Sequence, residues 1–438
     1  MTPMGMQQVF AGNSTRVEEA AGMMHSNPRR RFSLWPAVFL SFFLQVAAIG
    51  FLHTYRFRTT DNSFAFGWEM GCIGRALATG RGFSDPFGTG AGPTAWEPPV
   101  YPSLIGGVFK LFGVYSLASA WILLGINSLF SALTCIPIYF IARRMAGEKV
   151  ARWSAWTWAL LPYAWYWAIH WVWDTTITPF VLSLIILTSM KLEAWEGVKG
   201  WIWFGLLWGF AVLLNPSLVA FLPFCGIWVW HRRRKQPMRS LGGIALASVL
   251  FILCVAPWLV RNYRTFGLFI FVRDNLAQEL WLGNGPLATG ASRVYLMPNR
   301  NASELEKLKA MGELPYLEEQ KRKVIAFIRE NPGAFLRLCG KRVIYFWTGV
   351  PRADDSLIVL LLRTSLFAVT SLLAFWGLIL AARRSLSGAW LLILLTATYP
   401  LAYYVVYAHA RYRHPIEPEM VIAIVYLISG WADRSGQD

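Results

Sequence analysis

A glutamate in an apolar setting stands near the start of the chain. Glu69 lies in a helix-like stretch that ends at Gly80, and its neighbours Phe66, Trp68 and Met70 are large and apolar. A carboxylate in such surroundings is partly desolvated, which suits a general base whose pKa must be tuned. The same pattern is also typical of a surface glutamate on an interfacial helix, so both interpretations stay open.

A second glutamate is followed by a rigid turn. Glu97 stands between Trp96 and a pair of prolines, and Tyr101 and a third proline follow. Three prolines leave few flexible bonds, so this stretch is suited to ordering the edge of a substrate site. A purely structural turn is the alternative interpretation.

An aspartate marks the point where one apolar run ends and the next begins. Asp174 follows Trp173 and precedes Thr175. It either faces a cavity at the membrane edge or caps the N-terminus of the next helix, with Thr175 as the alternative cap.

Basic residues form two groups beside apolar runs. His409, Arg411 and Arg413 follow one run, and Arg261 follows another; Arg75 lies nearly opposite Glu69 on its predicted helix. Arginine binds phosphate through two parallel hydrogen bonds, so these residues are candidate ligands of a lipid phosphate. Contact with ordinary anionic headgroups is the alternative interpretation.

The composition indicates a membrane protein. The chain has 438 residues, of which 55% are apolar and 15% are charged, and its net charge is +17. Soluble domains carry about 25% charged residues. The high apolar content excludes intrinsic disorder. The basic residues punctuate long apolar runs and are not gathered on one face, which argues against a nucleic-acid partner and for a lipid bilayer.

Apolar runs of about 20 residues predict about ten transmembrane helices. The predicted spans are 34–54, 118–141, 153–170, 175–191, 200–214, 217–230, 240–260, 356–382, 388–408 and 418–432. Most flanking arginines and lysines then fall on one side, which we expect to be cytoplasmic together with both termini.

This threading divides the chain into a transmembrane catalytic module and long segments on the far side. We call 55–117 the first outer loop, with an interfacial or partly re-entrant helix over 103–112, and 261–355 the outer segment. Within the outer segment, polar helices are expected over 303–331 with breaks at Pro315 and Pro332, and an interfacial helix from Pro332 to Trp347. The predicted parts are a tail 1–33, the module 34–260, the outer segment, C-terminal helices 356–432 and a tail 433–438.

The order of these motifs resembles the bacterial GT-C membrane glycosyltransferases. The acidic first outer loop is followed by the stretch from Arg75 to Phe83, by Glu97-Pro98-Pro99-Val100-Tyr101-Pro102, and by Arg411-Tyr412-Arg413-His414-Pro415. Among these glycosyltransferases, the enzymes of family 39 look most similar. They are related to aminoarabinose transferases and protein O-mannosyltransferases. The resemblance extends from about residue 34 to 432.

The resemblance implies an all-α GT-C fold in the bacterial inner membrane, with the active site on the outer face. It implies a polyprenyl-phosphate-linked sugar as donor, inversion at the sugar carbon, and a glycan, lipid or protein acceptor. The base role falls to Glu69, with Asp61 as the substitute, and Asp174 is expected to orient the acceptor or to help hold a divalent ion. No specific metal site is predicted. The usual polar residue before the Pro-Pro pair, often Lys, is replaced by Glu97, so arginines must bind the phosphate.

Two other functions stay open at this point. A transporter or flippase for lipid-linked sugars requires charges near the bilayer midplane, of which the predicted spans carry few. A non-catalytic envelope assembly protein is the other alternative.

Overall fold

The computed structural model of the chain describes residues 33–57, 66–351 and 355–435. Within these ranges two isolated bridges are the only β-structure, and helices form almost everything else. The all-α polytopic fold predicted from the sequence is confirmed. The helices are α1 (Trp35–Phe51), α2 (Glu69–Ala78), α3 (Val100–Phe112), α4 (Leu117–Leu133), α5 (Cys135–Ala146), α6 (Glu148–Leu160), α7 (Pro162–His170), α8 (Ile177–Leu192), α9 (Lys199–Leu214), α10 (Leu222–Arg232), α11 (Pro237–Phe266), α12 (Leu276–Gly283), α13 (Ala302–Met311), α14 (Glu313–Glu330), α15 (Pro332–Thr348), α16 (Leu357–Arg383), α17 (Ala389–Thr398), α18 (Leu401–Val405) and α19 (Glu417–Ser435).

Among the described residues, three helical stretches are long and apolar enough to cross a bilayer. They are Leu117–Ala146, Pro237–Phe266 and Leu357–Arg383, with 30, 30 and 27 residues. A span needs about 20 residues. The first of them combines α4 and α5, because Thr134 between them keeps a helical backbone. Shorter apolar helices, among them α1, α8 and α9, account for several of the other apolar runs.

Three of the predicted spans are interrupted, which corrects the sequence-based prediction. The span 153–170 is divided into α6 and α7 before Pro162, and the span 388–408 is divided into α17 and α18 at Pro400. The span 217–230 opens with a 3-10 turn at Pro216–Ala220. Proline has no amide hydrogen to donate and clashes with the preceding turn, so helices end or bend there.

Two helices of the membrane region touch backbone to backbone. A side chain added at Gly205 of α9 would lie 2.4 Å from the carbonyl oxygen of Ala247 in α11, and one at Gly209 would lie 2.6 Å from Cβ of Cys254. Only glycine permits this approach. α11 leads into the outer segment, so this contact sets where the outer segment begins.

The outer segment folds into α12 to α15. Pro332 begins α15 as predicted, but Pro315 does not break a helix. It lies in the first turn of α14, where its missing amide hydrogen costs nothing, and the break falls at Gly312, whose φ is +81°. Arg342 of α15 is buried and donates hydrogen bonds to the carbonyl oxygen of Val405 at 2.7 Å and to Asn284 Oδ1 at 2.9 Å.

In the part of the first outer loop that the structure describes, residues 55–57 and 66–117, two helices form. The sequence predicts this loop's first helix over residues 66–77, whereas α2 begins at Glu69, and Gly80 follows its end with φ +79°. α3 begins at Val100, so the helix predicted from residue 103 is one turn longer. α2 and α3 cross closely, since a side chain at Gly74 would lie 2.5 Å from Ile105.

A buried carboxyl joins the outer segment to the first outer loop. Glu313 accepts hydrogen bonds from Thr94 Oγ1 at 2.5 Å and from the amide of Ala95 at 2.6 Å. The amide of Asp274 donates to the carbonyl oxygen of Ala95 at 3.1 Å, and Arg261 donates to that of Thr94 at 2.7 Å. Burial, and then the neighbouring Asp274 carboxyl, raise the pKa of Glu313 well above its usual range. We call these five residues the Glu313 network.

We expect Gly205→Leu to lower the thermal unfolding midpoint of the purified protein in detergent, because overpacking a close contact costs about 1–3 kcal/mol. The matched control is Gly125→Leu in α4, where an added side chain meets no atom within 4 Å. Equal midpoints for the two variants would show that α9 and α11 are not in backbone contact.

We also expect Glu313→Ala to destabilise the protein, since the amide of Ala95 and the hydroxyl of Thr94 lose a buried acceptor at about 1–3 kcal/mol each. Limited proteolysis should then cut more readily between residues 83 and 97. The control is Glu318→Ala on the exposed face of the same helix, which should stay within about 0.5 kcal/mol. Unchanged proteolysis in both variants contradicts the role assigned to Glu313.

Candidate functional site

Two adjoining cavities form one cleft between the membrane helices and the loops. The membrane-side cavity is lined by the ends of α9 and α18 and by the segment that precedes α8. The loop-side cavity is lined by the start of α2 and by the outer segment. Both cavities share part of their walls. The shared residues are Glu97, Trp173, Glu279, Arg411 and Tyr412.

Glu69 lines the loop-side cavity as the first residue of α2. The chain reaches it through a tight turn in which Gly67 and Trp68 both have positive φ, and a side chain at Gly67 would lie 2.5 Å from the carbonyl oxygen of Val172. Positive φ is uncommon outside glycine and costs backbone energy. The turn therefore holds Glu69 against the segment that carries Trp173 and Asp174.

The Glu69 carboxyl is almost fully buried. Its exposed fraction is 3%, and Asn299 donates a hydrogen bond to Oε1 at 3.1 Å. Burial raises the pKa of Glu69 to about 7. At that pKa the group is close to half ionised at neutral pH, which suits a group that must accept a proton and release it again.

Glu97 lines both cavities. Its carboxyl is buried, and burial raises its pKa well above the usual range while the Arg273 guanidinium acts in the opposite direction. Trp96 beside it lines the loop-side cavity and packs edge-on against Phe87, with ring centroids 4.7 Å apart. The Glu313 network holds the preceding residues, so it positions both side chains at the cleft.

Asp174 faces the membrane-side cavity and does not cap a helix with its side chain. The N-cap residue of α8 is Thr176. Asp174 Oδ2 accepts hydrogen bonds from Thr178 Oγ1 at 2.8 Å and from Asn215 Nδ2 at 2.9 Å. Burial raises the pKa of Asp174. Of the two interpretations of its sequence, the structure supports the one in which it faces a cavity.

Arg411 is the cation common to both cavities. Its guanidinium carbon lies 4.4 Å from the ring centroid of Trp173 and 5.2 Å from that of Tyr412. Two aromatic faces hold the planar group by cation–π attraction. His409 Nδ1 accepts a hydrogen bond from the Arg411 amide at 3.2 Å, and His409 itself lines the loop-side cavity.

The outer segment supplies charged residues that sequence reasoning missed. Arg273 lines the membrane-side cavity, and Glu279 of α12 lines both cavities. One sequence feature marks Arg273: it directly follows the apolar stretch Phe269-Ile270-Phe271-Val272. The same feature that singled out Glu69 also marks Arg273.

Arg413 lies away from the cleft, which corrects its assignment to a phosphate. Its exposed fraction is 4%, and it donates hydrogen bonds to Glu417 Oε1, to the carbonyl oxygen of Phe367 and to Ser371 Oγ, each at 3.0 Å. These contacts join α16 to α19. Because its hydrogen-bond partners belong to the protein itself, the guanidinium is not available to bind a ligand in the cleft.

Three further candidates also lie outside the walls of the cleft. Arg261 belongs to the Glu313 network. Arg75 lies over the ring of Tyr115, 5.8 Å from its centroid. Tyr101 is buried, and its hydroxyl donates to Asn127 Oδ1 at 2.9 Å, so it is a packing residue and not a substrate edge. Asp61 lies outside the described residues.

The cleft thus combines buried carboxyls with arginines and aromatic walls. Carboxylates can remove a proton from an acceptor, and guanidinium groups can stabilise charge on a departing phosphate. Among the residues that the structure describes, no group of three or more histidine, cysteine, aspartate or glutamate side chains is arranged to hold a metal ion.

Comparisons with known proteins bear on the fold and the family. Residues 96–260 match the family model described as dolichyl-phosphate-mannose-protein mannosyltransferase. No curated protein sequence matches the chain significantly.

Solved structures match most of the chain. The archaeal oligosaccharyltransferase AglB from Archaeoglobus fulgidus, in complex with an inhibitory peptide and a dolichol-phosphate, matches with a TM-score of 0.53 and 12% identity, over 92% of this chain and 50% of AglB. Its apo form matches with a TM-score of 0.52 and 13% identity, over 92% and 51%. ArnT from Cupriavidus metallidurans bound to undecaprenyl phosphate matches with a TM-score of 0.41 and 13% identity, over 91% of this chain and 77% of ArnT.

The chain spans about half the length of AglB. At such low identity the likeness to AglB establishes the fold alone, and the family model covers the part from Glu97 to α11. Together they agree with the resemblance noted in the sequence: the chain has the polytopic, all-helical fold seen in AglB, and residues 96–260 are similar to a mannosyltransferase family.

Proposed function

We propose that the protein transfers a sugar from a polyprenyl-phosphate-linked donor to an acceptor hydroxyl, amine or phosphate group. The observation that carries this proposal is the single cleft, in which buried carboxyls and the arginines Arg273 and Arg411 meet at the ends of the membrane helices. AglB, which shares the fold, was solved with a dolichol-phosphate. That complex supports a lipid-phosphate donor for this chain.

The donor phosphate occupies the membrane-side cavity. Its walls include Leu214 and Asn215 at the end of α9 and Tyr403 of α18, so a lipid in the bilayer reaches it from the helix ends. Arg273 and Arg411 line the same cavity. Arginine stays charged at every physiological pH and matches the geometry of phosphate oxygens.

Glu69 acts as the base, and Asp174 orients the acceptor. The ionised Glu69 carboxylate takes a proton from the acceptor group. The acceptor atom that loses this proton attacks the sugar carbon. The bond from that carbon to the phosphate oxygen breaks, and its electron pair goes to the phosphate, whose added charge the two arginines stabilise. The leaving phosphate needs no protonating acid. Attack from the face opposite the phosphate inverts the sugar carbon, as in the family 39 enzymes that the sequence resembles.

The acceptor enters from the loop-side cavity, where Trp68, Trp96 and Trp171 offer aromatic faces near Glu69. It is a glycan, a lipid or a protein. We place the reaction on the outer face of a bacterial inner membrane, because the basic flanks of the predicted spans indicate that this side of the chain is not cytoplasmic.

The proposal predicts that Glu69→Gln lowers transfer from a labelled polyprenyl-phosphate sugar by about 10²–10⁴-fold, since a positioned base contributes that much. The assay uses purified protein with a crude envelope extract as acceptor, and it measures both labelled product and released polyprenyl phosphate. Glu318→Gln, on an exposed face, is the matched control. Full transfer by Glu69→Gln, with the control also active, contradicts the assignment of Glu69.

Arg273→Gln and Arg411→Gln should each lower transfer by about 10²-fold or more, because each removes a charge that stabilises the leaving phosphate. Arg264→Gln, on the exposed end of α11, is the control that should transfer normally. If Arg264→Gln is as impaired as the other two variants, the phosphate does not bind in the cleft.

The pH dependence follows from the raised pKa of Glu69. With a pKa of about 7, the carboxylate is protonated below neutral pH, so the transfer rate should rise as pH increases through 7. At pH 6 about a tenth of the molecules carry the ionised base. An unperturbed glutamate would place this limb near pH 4.3. A kcat/KM for the donor that is constant from pH 5 to pH 8 contradicts a buried Glu69 base, because this ratio reports the pKa of the free enzyme.

A further inference from the structure

An apolar groove separates three helices in the membrane region, and none of its lining residues lines the cleft. α9, α10 and α11 line it, and its volume is about 420 Å³. Ligand pockets typically enclose about 300–1,000 Å³. The only polar side chains on its walls are Ser248 and the ring nitrogens of tryptophans.

The groove exists because α10 and α11 diverge. Gly205 brings α9 into backbone contact with α11, whereas α10 packs against α8 and α17. The chain turns from α10 to α11 through residues 233–236 only. The two helices therefore start close together and leave an apolar space between them.

Basic residues surround one end of the groove. Trp230, in the last turn of α10, and Ile244 of α11 line that end, next to the turn 233–236. Trp201 lies there too, because a side chain added at Gly243 would lie 2.1 Å from its ring.

Two of the basic residues are used within the protein. Arg233 is buried and donates hydrogen bonds to the carbonyl oxygens of Leu192 and Trp195. Arg232 pairs with Glu193. The remaining three, Arg234, Lys235 and Arg239, are exposed. Arg234 and Lys235 follow the groove residue Trp230 by four and five residues, and Arg239 precedes the groove residue Ile244 by five.

We propose that this groove binds one acyl chain of an anionic phospholipid, whose headgroup phosphate lies against Arg234, Lys235 and Arg239. An apolar slot with a cationic end matches such a lipid in both of its parts. A zwitterionic lipid offers the same chain without net charge, so the three cations provide the selectivity. The site is separate from the cleft, and its occupancy does not depend on the proposed glycosyl transfer.

The chain offers a matched pair of substitutions that separates groove from surface. A side chain added at Gly226 meets no atom within 4 Å, and Gly226 lines the groove. A side chain added at Gly242 of α11 also meets no atom within 4 Å, but Gly242 is not part of the lining. Tryptophan at Gly226 fills the groove, and tryptophan at Gly242 adds the same bulk elsewhere.

The test measures lipid binding to the purified full-length protein by native mass spectrometry. The probes are phosphatidylglycerol, phosphatidylcholine with the same chains, and polyprenyl phosphate. We expect tighter binding of phosphatidylglycerol, at least a tenfold loss in Gly226→Trp, and no change in Gly242→Trp. Replacing Arg234, Lys235 and Arg239 together by glutamine should weaken the binding of phosphatidylglycerol about fivefold per charge. The binding of phosphatidylcholine should not change. The variant that carries Arg234→Lys and Arg239→Lys keeps all three charges, so it should bind phosphatidylglycerol as the unchanged protein does.

Three outcomes overturn the proposal. Equal affinity for phosphatidylglycerol and phosphatidylcholine would show that the groove does not select anionic lipids. Unchanged phosphatidylglycerol binding in Gly226→Trp places the lipid elsewhere. Displacement of phosphatidylglycerol by equimolar polyprenyl phosphate assigns the groove to a prenyl chain. The glutamine variant changes only exposed side chains, so it tests the headgroup contact even if Gly226→Trp fails to fold.

Discussion

Charged groups removed from water at the edge of a bilayer are the constraint on which this structure depends. Glu69, Glu97 and Asp174 are each at most 5% exposed, and burial opposes the ionisation of each of them. Such groups are tolerated only beside partners of opposite charge or hydrogen-bond donors. The cleft meets this requirement with Arg273 and Arg411. The same desolvation that costs folding free energy makes these charges effective on a reacting phosphate and sugar.

The partners come from distant parts of the chain, so the fold must bring them together. α2 carries Glu69, the turn before α8 carries Asp174, and the stretch before α19 carries Arg411. The outer segment closes the cleft with Arg273, and the Glu313 network fixes that segment to the turn before Glu97. Removing the outer segment would therefore remove part of the cleft itself and not only a cover.

The sequence predicts those parts of the site whose local surroundings are unusual. Glu69, Asp174 and Arg411 each stand beside aromatic residues, and the structure brings all three to the cleft. Arg413 has nearly the same surroundings two residues after Arg411. A change of direction between two consecutive 3-10 turns sends it toward Glu417 instead, and no periodicity predicts such a turn.

The helices, like the site residues, are predictable where the local sequence determines them. Long apolar runs predict α4, α11 and α16, because every backbone group in lipid must be satisfied within the helix. Short helices such as α7 and α18 depend on single prolines and on the packing of neighbours, so a span count from hydropathy misses their ends. Arg273 carries the apolar setting that also marks Glu69. Glu279 is not predictable from its local sequence, because Glu97 and Tyr407, which it faces in the cleft, lie more than a hundred residues away in the chain.

The most direct test of the central claim is a structure of the protein with a non-reactive polyprenyl-phosphate sugar analogue. The cleft predicts that phosphate oxygens lie within hydrogen-bond distance of Arg273 and Arg411, with the sugar carbon facing the Glu69 carboxyl. A phosphate bound at Arg75 or Arg261, with the sugar outside the cleft, would contradict the account.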